Sequence, residues 1–315
     1  VTILKAIIKT YLETGEPKNL TVFHGAGIGD GKDRGMNHMG HEGLIKRLVC
    51  AHVGLAPKLG QLCMENKVEC FILPQGVCSH ILRATAGRKP GLVTHVGLKT
   101  YADPRVEACK GNEAARQSGH EVVQLLQVDG KDYLFYKSVP LDICFIRGTY
   151  ADETGNVSMV KEGLHGDQLE MAMATRNSGG IVVVQVEKMV QKGSLEEFDA
   201  IPVKDIKIPS FMVDYIVEAK HENHPQSFMG PDYRPELTGE IYIPLDAIEP
   251  MPLNPRKICG RRGAMLLKKG AVVNLGIGVA EAIAAVAGEE GVADQITLSI
   301  ESGVLGGVPT GGLGI

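Results

Sequence analysis

The sequence predicts an α/β protein of two domains joined by a wrapping linker. Three observations predict it. Short apolar runs at residues 20–23, 70–73, 141–147 and 181–186 alternate with stretches of helical period, the pattern of strands and the helices that cross between them. Residues 256–300 begin afresh as helix, strand, glycine turn, helix and strand, and strand–helix–strand at that length is one parallel βαβ unit. Between the two regions lie Pro225, Pro231, Pro235, Pro244, Pro250, Pro252 and Pro255, too dense a series for the interior of any element. These place a boundary near residue 255, and 315 residues are enough for two cores.

The elements follow in order. Residues 1–14 read as an amphipathic helix with Ile3, Ala6, Ile7, Ile8 and Tyr11 on or near one face, stopped by Gly15 and Pro17. The strand 20–23 runs into the loop Gly25-Ala26-Gly27-Ile28-Gly29-Asp30-Gly31. Residues 41–53 have a helical pattern. The strand 70–73 leads through Pro74-Gln75-Gly76 to a helix over 77–86. Residues 122–126 and 133–136 form a hairpin around Asp129-Gly130. A strand over 141–147, a turn over 151–156, a helix over 167–176 and the valine-rich strand 181–186 complete a first domain of 1–255, whose linker is 221–255. The second, 256–315, holds a helix at 256–267, a strand at 271–275, the turn Gly276-Ile277-Gly278, a helix at 280–287 and a strand at 296–300.

Composition excludes several functions. The net charge is -4 with no basic block, and aromatic residues are 5% with no Trp, so neither the electrostatics nor the stacking platforms of a nucleic-acid binder are present. Residues 270–288 are mostly apolar but contain Asn274 and Glu281 and are interrupted by Gly276 and Gly278, so a strand, turn and helix explain them better than a membrane span. Seven cysteines without a Cys-x-x-Cys suit a reducing compartment better than a disulfide framework. Thiol use and the lack of a visible leader point to a bacterial cytoplasm. Both ends of the chain read as cut.

Several motifs have two readings. Asn274-Leu275-Gly276-Ile277-Gly278 resembles the start of a dinucleotide fingerprint, but Glu281 stands where Gly or Ala is needed. A strand–turn–helix of this kind still offers N–H groups to an anion or a developing oxyanion. The loop 25–31 lacks Lys-Ser/Thr at phosphate-loop spacing, leaving an active-site loop or a plain surface loop. His38 and His41 are three apart and do not form a zinc-protease pattern, so no metal is assigned. Gln75, after a strand, is either a turn residue or an amide donor to a substrate oxygen. The strand 296–300 runs into Glu301-Ser302-Gly303-Val304-Leu305-Gly306-Gly307. A carboxylate at the carboxyl end of a strand among residues without Cβ can open a turn, or it can act as a nucleophile if oxyanion donors stand nearby.

Together these pieces resemble family I CoA-transferases. Ser299-Ile300-Glu301-Ser302-Gly303 followed by Gly306-Gly307-Val308-Pro309 resembles the active-site signature, and Asn274-Leu275-Gly276-Ile277-Gly278 the glycine turn upstream of it. Pro74-Gln75-Gly76, the segment 147–156 and the segment 179–187 look like further parts of the same enzymes. Leu12-Glu13-Thr14-Gly15-Glu16-Pro17 and Asp103-Pro104-Arg105 point to the propionate/acetate branch. The resemblance implies two related α/β/α domains on open sheets, with the start of the first and most of the second missing. It implies that Glu301 is the catalytic nucleophile and forms a γ-glutamyl-CoA thioester in ping-pong transfer between short-chain acyl-CoA and a carboxylate. It makes Gln75, Gly276, Gly278, Gly303, Gly306 and Gly307 substrate or CoA contacts. Coenzyme A thioester is then a substrate, with no permanently bound cofactor, and the enzyme a homo-oligomer when full length. The expected rivals are an acyl-CoA hydrolase or lyase-type subunit on the same fold, a non-catalytic acyl-CoA-binding module and, remotely, a sugar-phosphate isomerase.

Overall fold

The structure is a computed structural model that describes residues 2–195, 204, 206–227, 230, 232–276, 278–300 and 305–308. The chain forms two compact units, residues 1–224 and 225–315. Both are α/β, with open sheets of parallel strands.

In the first unit, α1 (Thr2–Thr14) lays Leu4, Ile7, Ile8 and Tyr11 against a core of Leu44, Ile45, Leu48 and Leu59. Gly15, at φ +74°, ends it. The strands β1 (Leu20–His24), β2 (Ile45–Cys50) and β3 (Glu69–Ile72) pair in parallel in the order β1-β2-β3, with α2 (Pro57–Met64) between β2 and β3. The helix expected over 41–53 is thus a strand. Leu44, Ile45, Leu48 and Val49 mimic a helical stripe, but β2 lies between two neighbours and is buried on both faces, so period two disappears.

The helix α3 (Gln75–Ala86) leaves β3 directly. Next come β4 (Gly91–Thr94), α4 (Glu113–Gln117), β5 (Val123–Val128) and β6 (Lys131–Lys137). The strands form an antiparallel sheet ordered β4-β6-β5. Asp129 and Gly130 both have positive φ, +49° and +73°, as a two-residue type I′ hairpin requires.

The third sheet is parallel: β7 (Ile143–Asp152), β8 (Ile181–Val190) and β9 (Tyr215–Glu218), with α5 (Gln168–Asn177) crossing from β7 to β8. Val182, Val184 and Val186 are fully buried, each worth roughly 1.5–3 kcal/mol of apolar burial. β7 runs on to Asp152, whose carboxylate accepts hydrogen bonds from the amides and side chains of Thr154 and Asn156, so the expected turn is held by one aspartate.

The second unit contains α6 (Pro235–Thr238), α7 (Pro255–Ala264), β10 (Val272–Leu275), α8 (Glu281–Glu289) and β11 (Thr297–Ile300). Residues 225–255, read from sequence as part of the first domain, group with it. They are tied to α8: Met251 N–H donates to Glu289, and the Lys257 ammonium bridges Met251 C=O and Glu289. Asn254 caps α7 by accepting from Lys257 N–H, with Pro255 at the first helical position. The helices α7 and α8 meet closely, since a Cβ on Gly260 would lie 2.6 Å from the Ala282 carbonyl oxygen.

Candidate active site

The site candidates divide between the units. In the second, β10 and β11 are parallel and in register, Asn274 beside Ser299 and Leu275 beside Ile300. They therefore end level, at the carboxyl edge where α/β sheets carry their ligands. Val273, Leu275 and Leu298 form an apolar face packed with Ile283 and Ala284. The opposite face, with Val272, Asn274, Thr297 and Ser299, is open, and there Asn274 Nδ2 donates to Ser299 Oγ at 3.2 Å.

After Leu275 the chain enters the glycine turn. The Arg256 guanidinium, at the start of α7, donates to the Gly278 carbonyl and pairs with the Glu281 carboxylate in the first turn of α8. One arginine thus fixes the turn to the helix that follows. The sequence reading missed Arg256, and its place in the first turn of a capped helix was the only local signal; a partner 22 and 25 residues away has none.

Glu301 and Gly303 lie outside the described residues. Leu305 forms an antiparallel bridge with Ser299, and Gly306 N–H donates to Leu298 C=O at 2.7 Å. The chain therefore returns along β11 on the side away from β10. Gly306 and Gly307 have φ of +80° and +70°, so this return demands glycine. The Gly306 amide is committed to the strand, which leaves its role to backbone shape. Gly276 differs. Its φ is not positive and a Cβ there would meet nothing within 4 Å, so nothing among the described residues demands glycine.

In the first unit, Gln75 opens α3 at the carboxyl end of β3. Pro74, in the capping position, provides no side-chain acceptor, and Leu73 N–H is bonded to Cys50 C=O, which extends the strand to the helix start. Gln75 is exposed, and its amide makes no hydrogen bond among the described residues. Gly76 beside it, like Gly276, has neither positive φ nor a neighbour within Cβ contact.

The loop 25–31 is held firmly. Gly27 N–H donates to His52 Nε2, Gly31 N–H to Leu55 C=O, and the Asp30 carboxylate accepts from the amides of Lys32, Asp33 and Arg34. Two of its glycines are there for space: a Cβ on Gly27 would lie 2.2 Å from the His52 ring and one on Gly29 2.0 Å from the Leu55 carbonyl oxygen, whereas Gly31 serves a positive φ of +73°. His38 and His41 join no cluster of three or more metal-ligating residues among the described residues. His24 is buried, and burial lowers its pKa. Six of the seven cysteines are buried free thiols, and burial pushes Cys50, Cys78 and Cys109 up to about 12.

A further group missed from sequence is built on β7 and β8, with Glu162, Gln185 and His224 buried and Arg147 half-buried. Arg147 Nε lies 2.6 Å from Glu162 Oε2, His224 Nε2 is 3.6 Å from Glu162 Oε1, and Gln185 Nε2 donates to His224 Nδ1. Burial raises the Glu162 pKa, but contact with His224 and the Arg147 charge outweigh it, and the net shift is downward. Gln185 Oε1 also accepts from Thr2 N–H. These residues span more than 220 positions, too far for any local pattern to join them.

Residues 2–219 match the sequence model described as Coenzyme A transferase. The chain belongs to that family. It is 42% identical over 304 residues to caffeate CoA-transferase of Acetobacterium woodii, covering 96% of this chain and 56% of that protein. It is 36% identical over 312 residues to acetate CoA-transferase YdiF of Escherichia coli K12, covering 99% and 57%. The chain thus spans little more than half the length of these relatives. A solved acyl-CoA transferase YdiF from E. coli O157:H7, in a thioester complex with CoA, superposes with a TM-score of 0.87 at 36% identity over 98% of this chain and 60% of that one. Glutaconate CoA-transferase of Acidaminococcus fermentans, at 17% identity and a TM-score of 0.55 over 70% of this chain and 68% of that one, shares the fold. Among the described residues no helix is long and apolar enough to cross a membrane.

Proposed function

We propose that the protein transfers coenzyme A between a short-chain acyl-CoA and a carboxylate, by a ping-pong route through Glu301. The observation that carries this reading is the pair of parallel strands ending level at Leu275 and Ile300, with a glycine turn after one and Glu301 next in the chain after the other. The relatives named for CoA transfer to acetate and caffeate, and the thioester complex of YdiF, support it.

The Glu301 carboxylate attacks the thioester carbonyl and expels CoA thiolate, leaving a mixed anhydride. The thiolate attacks the glutamyl carbonyl, and the first carboxylate departs, leaving γ-glutamyl-CoA. The acceptor carboxylate attacks this thioester and expels the thiolate again. Thiolate attack on the acceptor's acyl carbon then yields the new acyl-CoA and regenerates Glu301. No net proton or electron is consumed. A carboxylate is a weak nucleophile in water, so exclusion of water and fixed N–H donors must favour it, and the same exclusion protects both activated intermediates from hydrolysis.

Gln75 serves as a donor to an acyl or carboxylate oxygen. Gly276 leaves open the room that a pantetheine arm or acyl group needs, and Gly278, Gly303, Gly306 and Gly307 shape backbone around such a ligand. Coenzyme A is substrate rather than resident cofactor. Seven free thiols support a reducing, cytoplasmic setting. Acetate and propionate are the acids expected from the propionate/acetate resemblance. A second reading, transfer to an aryl-propenoic acid, is favoured by the 42% identity to the caffeate enzyme.

The test is mass spectrometry of the full-length enzyme incubated with propionyl-CoA and no acceptor, then digested. A CoA-mass adduct on the Glu301 peptide, lost on adding acetate or caffeate, is expected, and the acid that removes it faster identifies the acyl class. Steady release of free CoA without an adduct would instead make it a hydrolase, and neither event would leave only binding.

A further inference from the structure

The antiparallel sheet β4-β6-β5 has two edges, and they are built differently. β4 is four residues long and follows Pro90, which blunts it. β5 reads Val-Gln-Leu-Leu-Gln-Val, six residues without a charge, proline or glycine. Proteins ordinarily protect an edge strand with one of those residues, because its unpaired amides template another strand.

The register shows which amides are unpaired. Lys137 N–H donates to Val122 C=O, so Val122 and, alternating along the strand, Gln124, Leu126 and Val128 direct their backbone groups to β6. Val123, Leu125 and Gln127 direct theirs away. Val123 is buried, whereas residues 124–128 are all exposed, and their midpoint is Leu126. Among the described residues the groups without a strand partner are therefore those of Leu125 and Gln127, one on each side of Leu126.

We propose that β5 pairs antiparallel with β5 of a second copy of this chain, about a twofold axis through Leu126, joining two three-stranded sheets into one of six strands. A twofold perpendicular to a sheet keeps each residue on its own face, so it must pass through a residue facing itself. With Leu126 on the axis, Leu125 and Gln127 face one another across the copies and exchange both hydrogen bonds at each position. Leu126 forms the non-hydrogen-bonded pair between them, where side chains come closest. Leu126 and Val128, 39% and 42% exposed, lie on the outer face with Val93, and this pairing covers them. The same register brings the hairpin tip, which carries Asp129 and Lys131, toward residues 121–123 of the other copy, where Lys131 adds a second cation beside the Glu121 that pairs with Lys137 of its own chain at 3.7 Å.

Two measurements on the full-length protein test this. In a Cys259→Ser background, which removes the exposed thiol, Leu126→Cys is expected to give a disulfide-linked dimer under mild oxidation by diamide. Gln124→Cys is expected not to, because its symmetry mate would lie four residues along the ladder, about 13 Å away. Equal cross-linking of both variants would overturn the register. Sedimentation is expected to show that Leu126→Lys, with its fold unchanged by circular dichroism, raises the dimer dissociation constant at least tenfold and frees the Leu125 and Gln127 amides to exchange. A monomeric parent protein, or an oligomer indifferent to Leu126→Lys, would overturn the pairing.

Discussion

Glycines crowd the ends of parallel strands in both units, but for opposite reasons. After β1, Gly27, Gly29 and Gly35 are sites of close packing, while Gly25 has only ordinary contacts and Gly31 is open at φ +73°. Gly29 abuts the Leu55 carbonyl, Gly27 the His52 ring and Gly35 the backbone of Gly29. After β10 and β11, Gly276, Gly278, Gly306 and Gly307 have nothing within reach of a Cβ. The first loop is filled by its own chain, and the second region leaves its space free. Empty space alone does not separate the two, since Gly31, Gly278, Gly306 and Gly307 are all open at positive φ; Gly276 is the one of these strand-end glycines that has neither a neighbour within Cβ contact nor a positive φ.

The largest expected effect sharpens the functional half of that contrast. Glu301→Gln keeps the shape and removes the nucleophile, so exchange between acyl-CoA and acid should fall about 10⁴-fold, roughly 5 kcal/mol in barrier, in a radiolabel-exchange assay. Retention of more than a tenth of the activity would break the covalent reading.

Gly29→Ala tests the sealed loop. The new methyl meets a backbone oxygen that cannot rotate aside, and a loss of about 2–3 kcal/mol is expected in urea unfolding of the first unit. An unchanged midpoint would mean that the loop is looser than its hydrogen bonds indicate.

Glu162→Gln addresses the core of the same unit. It leaves Arg147 without its buried counter-charge, and a loss of about 2 kcal/mol is expected. Because the folded-state pKa of Glu162 is lowered, its contribution is complete above the unfolded carboxylate value near 4 and drains as pH falls through the folded value. The stability difference between parent and variant should therefore shrink on acidification below about pH 4. A difference that stays constant instead would assign the effect to packing.

Gly276→Ala should produce the smallest change in stability, within about 0.5 kcal/mol, yet raise KM for acyl-CoA roughly tenfold. Stability lost without a change in KM would remove the open-approach side of the comparison.

Much of the fold was legible because the pattern was local. The parallel unit at 272–300 needed only an apolar strand, two glycines and a helix between Leu275 and Thr297, and the hairpin needed only Asp129-Gly130. The strand β2 was not legible, since burial on both faces erases the alternation that marks a strand. Residues 221–255 were assigned to a linker by their prolines, whereas Glu289 and Lys257 tie Met251 of that segment to α8. At the candidate site, Glu301 and the glycines stood out by composition beside a strand end. Arg256 did not, because a guanidinium that grips a turn more than twenty residues onward resembles any surface arginine.

The bond between Thr2 and Gln185 also bears on how the protein is made. Lys5 likewise donates to Asn223. At about 5–20 residues per second, the ribosome needs roughly 10–40 s to supply the partners of the first helix. The apolar stripe of Leu4, Ile7 and Ile8 packs on residues before position 73, so this helix can dock on its core well before its polar ties to Gln185 and Asn223 exist.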